Sequence, residues 1–320
     1  MNSTERYQHE STADRSILRV FHPVAATKQN VTVVLPVLNE EAGIGPVIDE
    51  VESHGYNNIL VVDGYSTDQT VKVAESKGVR VVLQHGRGKT GAVKTAIENV
   101  ATPYMLIMDG DFTYDAAAIE RFLDHAERYE QIIGARSREN IPRLHRIGNR
   151  AITRLFNTMF DTSTSDVCSG MYLLRTDSAR ELELHTGGFA AEVEIIAQMS
   201  MRGDVTEVPI NYRARMGRPK LSTWRHGSQI MYTILNLARI YNPVFLFSFL
   251  ASLAIVPGIA ILAWVFAMWL TYGIFEGGWA LLGSVLILGA GQAFIVGTLS
   301  LVIKRGEIRI IKLLKQRPLP

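Results

Sequence analysis

The sequence predicts an α/β protein, a mostly parallel sheet with helices on both faces, followed by a hairpin of two membrane-spanning helices. Two observations carry this. Short apolar runs alternate with helical patterns from Val31 to Met108, and beyond about Asn242 the charges nearly vanish over two long apolar stretches. A βαβα rhythm is the signature of a parallel sheet covered by helices. An apolar run of ~20 residues is enough to cross a bilayer core.

The alternation is explicit. Val31–Val37 reads as a strand, Ile44–His54 as a helix, Ile59–Val62 as a strand and Asp68–Lys77 as a helix. Val79–Leu83 is again a strand, Gly91–Val100 a helix and Tyr104–Met108 a strand. Gln131–Ala135 forms a further apolar strand. Residues 1–29 are polar and mixed in charge, with no apolar core of the kind a secretory signal needs, and read as a disordered lead-in. The globular domain is expected over 30–222. A juxtamembrane amphipathic helix is expected over 223–242, or equally an ordinary surface helix.

The spans are expected over about 244–272 and 279–303. Pro257-Gly258 predicts a kink in the first, which membrane helices tolerate. Trp269, Tyr272, Phe275 and Trp279 cluster about the linker Glu276-Gly277-Gly278 as an interfacial belt does. Arg213, Arg215, Arg218, Lys220, Arg225 and Arg239 precede the spans. Lys304, Arg305, Arg309, Lys312, Lys315 and Arg317 lie in a basic tail over 304–320, and the linker carries no Lys or Arg. The positive-inside bias then predicts an integral membrane protein with both termini and the globular domain cytoplasmic. A formal charge of +2 gives no sign of a nucleic-acid partner, and the single cysteine, Cys168, excludes a disulfide framework and fits a reducing compartment.

Open parallel sheets bind ligands beyond the C-terminal ends of their strands, so the residues just after each strand are the ones to examine. They are Asn39-Glu40-Glu41, Asp63-Gly64-Tyr65-Ser66-Thr67-Asp68, Gly86-Arg87-Gly88-Lys89-Thr90-Gly91 and Asp109-Gly110-Asp111. Two carboxylates flanking Gly110 suit a hard divalent cation, which takes few carboxylates and completes its shell with phosphate oxygens and water. Alone, the triplet reads more readily as an Asp/Gly turn; as the last of four polar strand ends it gains meaning. Gly88-Lys89-Thr90 is not a P-loop, because the required glycine position holds Leu83, and no dinucleotide fingerprint follows the first strand. Arg87 and Lys89 remain candidates for a diphosphate, against a flexible basic loop. Asp63 is placed to accept from a base or ribose, and Asp68 to cap the next helix. Arg136 ends its strand, and Arg146, Arg150 and Arg154 recur on one helix face, suited to phosphate. Glu192 and Glu194, two apart, point to different faces of a helix; a substrate contact and a helix-start carboxylate are both open.

These pieces in this order resemble the inverting family 2 glycosyltransferases of polyprenyl-phosphate type, such as the dolichyl-phosphate mannose and glucose synthases. The resemblance covers about Val31 to Arg239. It rests on Leu35-Pro36-Val37-Leu38-Asn39-Glu40-Glu41, the Asp63–Thr70 loop, Gly88-Lys89, Asp109-Gly110-Asp111, Gly134-Ala135-Arg136 and Gly148-Asn149-Arg150. It continues through Asp166-Val167-Cys168-Ser169-Gly170, Gly188–Glu194, Val208–Arg213 and Gly217-Arg218-Pro219-Lys220-Leu221-Ser222.

The resemblance implies the GT-A fold, a Rossmann-like sheet. It implies a nucleotide-sugar donor bound by Pro36, Asn39, Glu41, Asp63, Lys89, Asp109, Gly110 and Asp111, and Mg²⁺ or Mn²⁺ held by Asp109, Asp111 and Thr113. It also implies a polyisoprenoid phosphate acceptor contacted by Arg136, Arg150, Arg213, Arg218 and Lys220, with Asp111, Arg136 and Arg150 carrying the transfer. The family often has a second aspartate where Gly64 stands, and Gln where Thr113 stands. The runs around Asp63 and Asp109 look closest to archaeal enzymes that charge dolichyl phosphate for protein N-glycosylation, which favours UDP-glucose or UDP-N-acetylglucosamine over GDP-mannose. A homo-oligomer is allowed. A processive synthase is disfavoured because Gln-x-x-Arg-Trp is absent from the sequence. A non-catalytic nucleotide-binding membrane adaptor is the reading of another class.

Overall fold

The structure, a computed structural model, describes residues 24–137, 143–160, 162–185, 191–200, 205–217, 230–237 and 243–315. The elements run β1 Val31–Val37, α1 Ile44–Ser53, β2 Ile59–Asp63, α2 Thr70–Ser76, β3 Arg80–Leu83, α3 Gly88–Asn99 and β4 Tyr104–Ile107. They continue α4 Ile119–Ala126, β5 Gln131–Arg136, α5 Arg143–Phe160, β6 Tyr172–Arg175, α6 Thr176–Arg180, α7 Ala191–Ser200 and β7 Val205–Ile210. A helix over 230–237, α8, precedes α9 Pro243–Tyr272 and α10 Gly277–Lys315.

One seven-stranded sheet has the order β3-β2-β1-β4-β6-β5-β7. β3, β2, β1 and β4 are parallel neighbours, as the βαβα rhythm requires. β6 runs antiparallel between β4 and β5, so the sheet is mixed, and β5 pairs parallel with β7. Six strands therefore end along one edge, where β6 begins. β1 is the topological switch point: its two neighbours are reached by chain running in opposite directions, which opens a crevice at its C-terminal end.

Side-chain alternation along β1 divides the core. Val31, Val33, Leu35 and Val37 join one apolar cluster with α1 and α4, and Val34 joins the other beneath α3 and α7. Burial on both faces explains why β1 reads as an unbroken apolar run. A third cluster joins Ile152 and Phe156 of α5, Val193 of α7 and Ile234 and Leu237 of α8, with Phe245 at the start of α9 packed against it.

Several expectations shift. The ordered chain reaches back before residue 30: Tyr104 Oη donates to Val24 O at 2.8 Å and a short 3-10 turn covers Lys28–Asn30. α3 begins at Gly88 rather than Gly91 because Arg87 is extended and the helix starts on the glycine itself. α10 runs on to Lys315, so the basic segment to that point is helical rather than a separate tail. Of the expected 223–242 helix, 230–237 is described and helical; the remainder, with Arg218 and Lys220, lies outside the described residues.

Two helical stretches are long and apolar enough to cross a membrane, Val244–Tyr272 and Gly277–Ile303, within two residues of the expected spans. Their most apolar windows are 6% and 11% buried, whereas a core helix of a soluble protein would be mostly covered. They pack against each other where side chains are small: a Cβ on Gly283 would lie 2.9 Å from Leu262 Cγ and 3.1 Å from Gly258 O. Close backbone approach is how helices associate in lipid.

Gly134 sits where β5 is pressed between layers: an added Cβ would run into Ile210 Cδ1 and lie 3.0 Å from Met171 O and 3.1 Å from Phe122 Cζ. Overpacking of this kind costs ~1–3 kcal/mol. Gly134→Ala is expected to lower the thermal unfolding midpoint by ~2–8 °C, measured in detergent against the parent chain; an unchanged midpoint would show that the layers yield freely.

Candidate active site

The loops after β1, β2 and β4 are each bent by a non-glycine residue at positive φ: Asn39 at 52°, Tyr65 at 68° and Phe112 at 68°. Among the described residues no other non-glycine has this conformation. Such backbone is costly and is held only where the surroundings impose it. Here hydrogen bonds between loops impose it. Asn39 N donates to Ser66 Oγ at 2.8 Å, and Asn39 Oδ1 accepts from Thr67 N at 2.7 Å. Glu41 Oε2 accepts from Gln69 N at 3.0 Å, and Asp68 Oδ2 accepts from Glu41 N at 3.3 Å. Asn39 and Glu41, expected at the nucleotide, thus lock two strand-end loops together. Asp68 accepts from Thr70 N at 2.9 Å, so it does serve the first turn of α2, while also bridging to Glu41.

Asp63 closes β2 and is 1% exposed. Its Oδ2 accepts from Ser66 N at 3.0 Å, and its Oδ1 is buried with no hydrogen-bond partner. A buried acceptor left open is expensive unless something fills it. A base or ribose donor would.

Four carboxylates gather where β1 and β4 end: Glu40, Asp109, Asp111 and Glu192. Two cations meet them. Lys89 Nζ lies 2.6 Å from Asp109 Oδ1 and 2.5 Å from Glu192 Oε1. Arg215 Nη1 lies 2.8 Å from Asp111 Oδ2, and its Nη2 bonds Glu40. Burial alone would discharge Lys89, but Asp109 and Glu192 outweigh it and hold the ammonium well above its ordinary value. Burial and the neighbouring Asp109 push Asp111 up, opposed by Thr113 and Arg215.

The acid oxygens of Asp109 and Asp111 are donors of the kind a hard divalent cation takes, and this is the pair that could hold one, with phosphate oxygens and water completing the shell. Among the described residues no group of three or more His, Cys, Asp or Glu is arranged to hold a metal ion.

Gly110 and Gly170 are there for space. A Cβ on Gly110 would lie 2.6 Å from Val37 Cγ1, and one on Gly170 would collide with Asp109 Oδ2 and lie 3.0 Å from Lys89 Nζ. Gly170 N donates to Tyr114 Oη at 2.7 Å, which fixes its loop over Asp109.

Other expected residues play different parts. Thr113 Oγ1 donates to Asp111 Oδ1 at 2.5 Å and the residue is 2% exposed, so it orients the carboxylate from behind rather than standing as a third metal ligand. Arg136 is not an open phosphate contact: its Nε and Nη2 bind Asp166 at 2.6 and 2.8 Å, over the ring of Tyr212. Arg213 grips Glu50 through both terminal nitrogens, at 2.9 and 2.8 Å, and Asp115 at 3.0 Å, pinning the segment after β7 to α1. Arg150 and Arg154 are exposed on α5, whereas Arg146 of the same stripe is half-buried. Pro36 is half-buried at the end of β1. Glu192 and Glu194 do separate, one to Lys89 and the other to His185 N at 2.9 Å. Burial pushes the Cys168 thiol up to about 12, so it is no nucleophile.

Arg215 and Glu40 were not singled out by sequence as site residues. Arg215 stood in a basic run read as membrane-proximal, and only the return of the chain from β7 brings it to Asp111: Met216 N donates to Asp111 O at 3.0 Å and Arg213 N to Thr113 O at 2.8 Å.

Asp166 is 4% exposed and also accepts from Asn149 Nδ2 at 2.9 Å. Asp166→Ala strands the Arg136 guanidinium in a buried site and is expected to cost ~3–5 kcal/mol, seen as a lower unfolding midpoint. Asp166→Asn, which keeps an acceptor, should cost less; equal losses would mean that the charge pair is immaterial.

Residues 32–183 match the model of glycosyl transferase family 2. Glycosyltransferase AglJ of Haloferax volcanii is 33% identical over 283 residues, 86% of this chain and 93% of the relative. The dolichyl-phosphate hexose transferase of the same organism is 32% identical over 218 residues, 66% of this chain and 95% of the relative. Among solved structures, glucosyl-3-phosphoglycerate synthase from Mycobacterium tuberculosis superposes with a TM-score of 0.58 at 22% identity, covering 65% of this chain and 80% of that one. That likeness shows the fold, and the same synthase has been solved with Mn²⁺ and UDP-glucose. With the strand-end carboxylates in their cleft, these similarities make the chain a glycosyltransferase of GT-A fold, a member of glycosyl transferase family 2.

Proposed function

We propose that the protein transfers one hexose from a UDP-sugar, UDP-glucose or UDP-N-acetylglucosamine, to dolichyl or another polyprenyl phosphate, inverting the anomeric centre at the cytoplasmic face of the membrane. The observation that carries this reading is the pair Asp109 and Asp111 at the end of β4, set among Glu40, Glu192, Lys89 and Arg215, in a chain that continues into two membrane-length helices. The relative named a dolichyl-phosphate hexose transferase supports the acceptor, and the synthase solved with Mn²⁺ and UDP-glucose supports the donor and metal.

A divalent cation, when bound, would neutralise the departing diphosphate. The chain's own residues do the rest. Asp63 Oδ1 receives a donor from the base or ribose. Asp109 and Asp111 would hold that cation, with Thr113 and Lys89 setting the orientation of their carboxylates. A phosphomonoester with a second pKa near ~6 is largely dianionic at neutral pH; it is already a nucleophile and asks little of a general base. Its difficulty is approach to another anion, which basic side chains ease and align. Arg150, exposed on α5 beside the Asp166-bound Asn149, is the expected acceptor contact that the fold leaves open; Arg218 and Lys220 are candidates from the resemblance. The positive-inside bias supports the cytoplasmic orientation.

The test incubates the detergent-purified chain with Mn²⁺ or Mg²⁺, dolichyl phosphate and, separately, UDP-glucose, UDP-N-acetylglucosamine and GDP-mannose, and detects glycosylated lipid by mass spectrometry. A UDP-sugar product that disappears in Asp111→Ala is expected. A product from GDP-mannose alone would overturn the donor assignment, and retained anomeric configuration would overturn the inversion.

One finer outcome follows from the geometry. Arg150→Ala should raise the KM for the lipid ~10–100-fold, the worth of a charge-assisted hydrogen bond, while UDP binding stays unchanged; weakened UDP binding instead would move Arg150 to the donor side.

A further inference from the structure

The carboxylates that suit a divalent cation are already in contact with two of the protein's own cations, and the two cations are held very differently. Lys89 belongs to the first turn of α3 and its side chain is 12% exposed between Asp109 and Glu192. Arg215 stands on a strap of irregular backbone after β7, 22% exposed, bonded to Asp111 and Glu40. The strap is fixed by its main chain: Met216 N to Asp111 O, Arg213 N to Thr113 O, and an isolated bridge between Tyr114 and Tyr212. Its backbone can therefore stay while the Arg215 side chain moves. The guanidinium is also incompletely satisfied, because its Nε is buried without a hydrogen-bond partner.

Asp111 has little room for a second cation. Oδ1 accepts from Thr113 N at 3.1 Å and from Thr113 Oγ1 at 2.5 Å; Oδ2 carries Arg215 at 2.8 Å. Coordination of Oδ2 at the ~2.0–2.1 Å typical of Mg²⁺ places a second positive centre against the guanidinium on one oxygen. The two compete.

We propose that Arg215 is a displaceable counterion of the metal site: in the nucleotide-free protein it holds Asp111 and Glu40, and it releases Asp111 when a divalent cation and a nucleoside diphosphate enter together. The inference rests on the functional reading above and adds a positioning residue to it. Released from Asp111, the guanidinium keeps Glu40 and gains an incoming diphosphate as a replacement anion. Each ligand then tightens the other, because either one alone leaves Arg215 or Asp111 poorly matched, and the coupling is reciprocal. Phosphate oxygens in the metal's shell couple the two ligands in any case; a displaceable Arg215 adds to that coupling, and a permanent salt bridge would not.

The test measures Mn²⁺ affinity of the full chain in detergent by electron paramagnetic resonance of free Mn²⁺, with and without UDP. For the parent chain, UDP should tighten Mn²⁺ about tenfold or more, within the ~5–150-fold usual for coupled sites. Arg215→Gln should bind Mn²⁺ alone several-fold more tightly than the parent, and the effect of UDP should shrink correspondingly. Arg215→Lys, which keeps the charge and the fold but loses the fork, should fall between. Unchanged or weaker Mn²⁺ binding by Arg215→Gln without UDP would overturn the counterion, as would equal tightening in Arg215→Lys and Arg215→Gln. Failure of the parent chain to bind Mn²⁺ even with UDP would remove the metal-dependent reading of the site together with the counterion.

Discussion

The constraint on which the rest depends is the gathering of four carboxylates in one half-buried crevice. Like charges at such range repel strongly once water is removed, so Glu40, Asp109, Asp111 and Glu192 can share the crevice only if cations are brought to them. The chain brings them from its two extremes along the sheet. Lys89 comes from the helix that follows edge strand β3, and Arg215 from the segment that follows β7 at the other edge. The whole width of the sheet is thereby tied to one cluster, and the loops between are bent to fit, with positive φ at Asn39, Tyr65 and Phe112.

The same constraint explains why β6 is antiparallel. A seventh parallel strand would carry its preceding loop to the far edge of the sheet. Running the other way, β6 begins at the ligand edge, and the loop before it delivers Gly170 against Asp109 and Asp166 against Arg136. The buried Arg136–Asp166 pair is then a brace for that loop. A pair of this kind is seldom a net source of stability, since desolvation consumes most of the attraction; its use here is to fix position.

What the sequence made legible follows from where its signals are local. β1, β2 and β4 are buried apolar runs that end in Asp, Gly and Asn, and both spans announce themselves by length. The polar ends of β1, β2 and β4 converge as the parallel reading required. β6 and β7 were not separable as strands: β6 is four residues long, and β7 contains Pro209 and Thr206 and is only partly buried. The surroundings of the arginines are illegible for a related reason. Arg136 and Arg213 are the right residue type for phosphate, but composition does not show that Asp166, Glu50 and Asp115 already face them. Conversely, Arg215 looked like one more basic residue of a membrane-proximal run, because its partner Asp111 is 104 positions away in the chain. Local chemistry was readable; the pairing of charges across the fold was not.

The third apolar cluster gives the two halves of the chain a common mechanical logic. α5 and α8 bury Ile152, Phe156, Ile234 and Leu237 together with Val193 of α7, and Phe245 of the first turn of α9 packs on the same cluster. α7 is also the helix that carries Glu192 to Lys89. One packed layer therefore connects the start of α9 to the carboxylate crevice. Packed interiors transmit displacement rather than absorb it. The position of the crevice relative to the start of α9 is thus set by side-chain packing, with α5, the helix that exposes Arg150 and Arg154, forming part of that layer. On the proposed function, in which the acceptor phosphate is tethered to a lipid, this packing would set the height of the crevice above the hairpin.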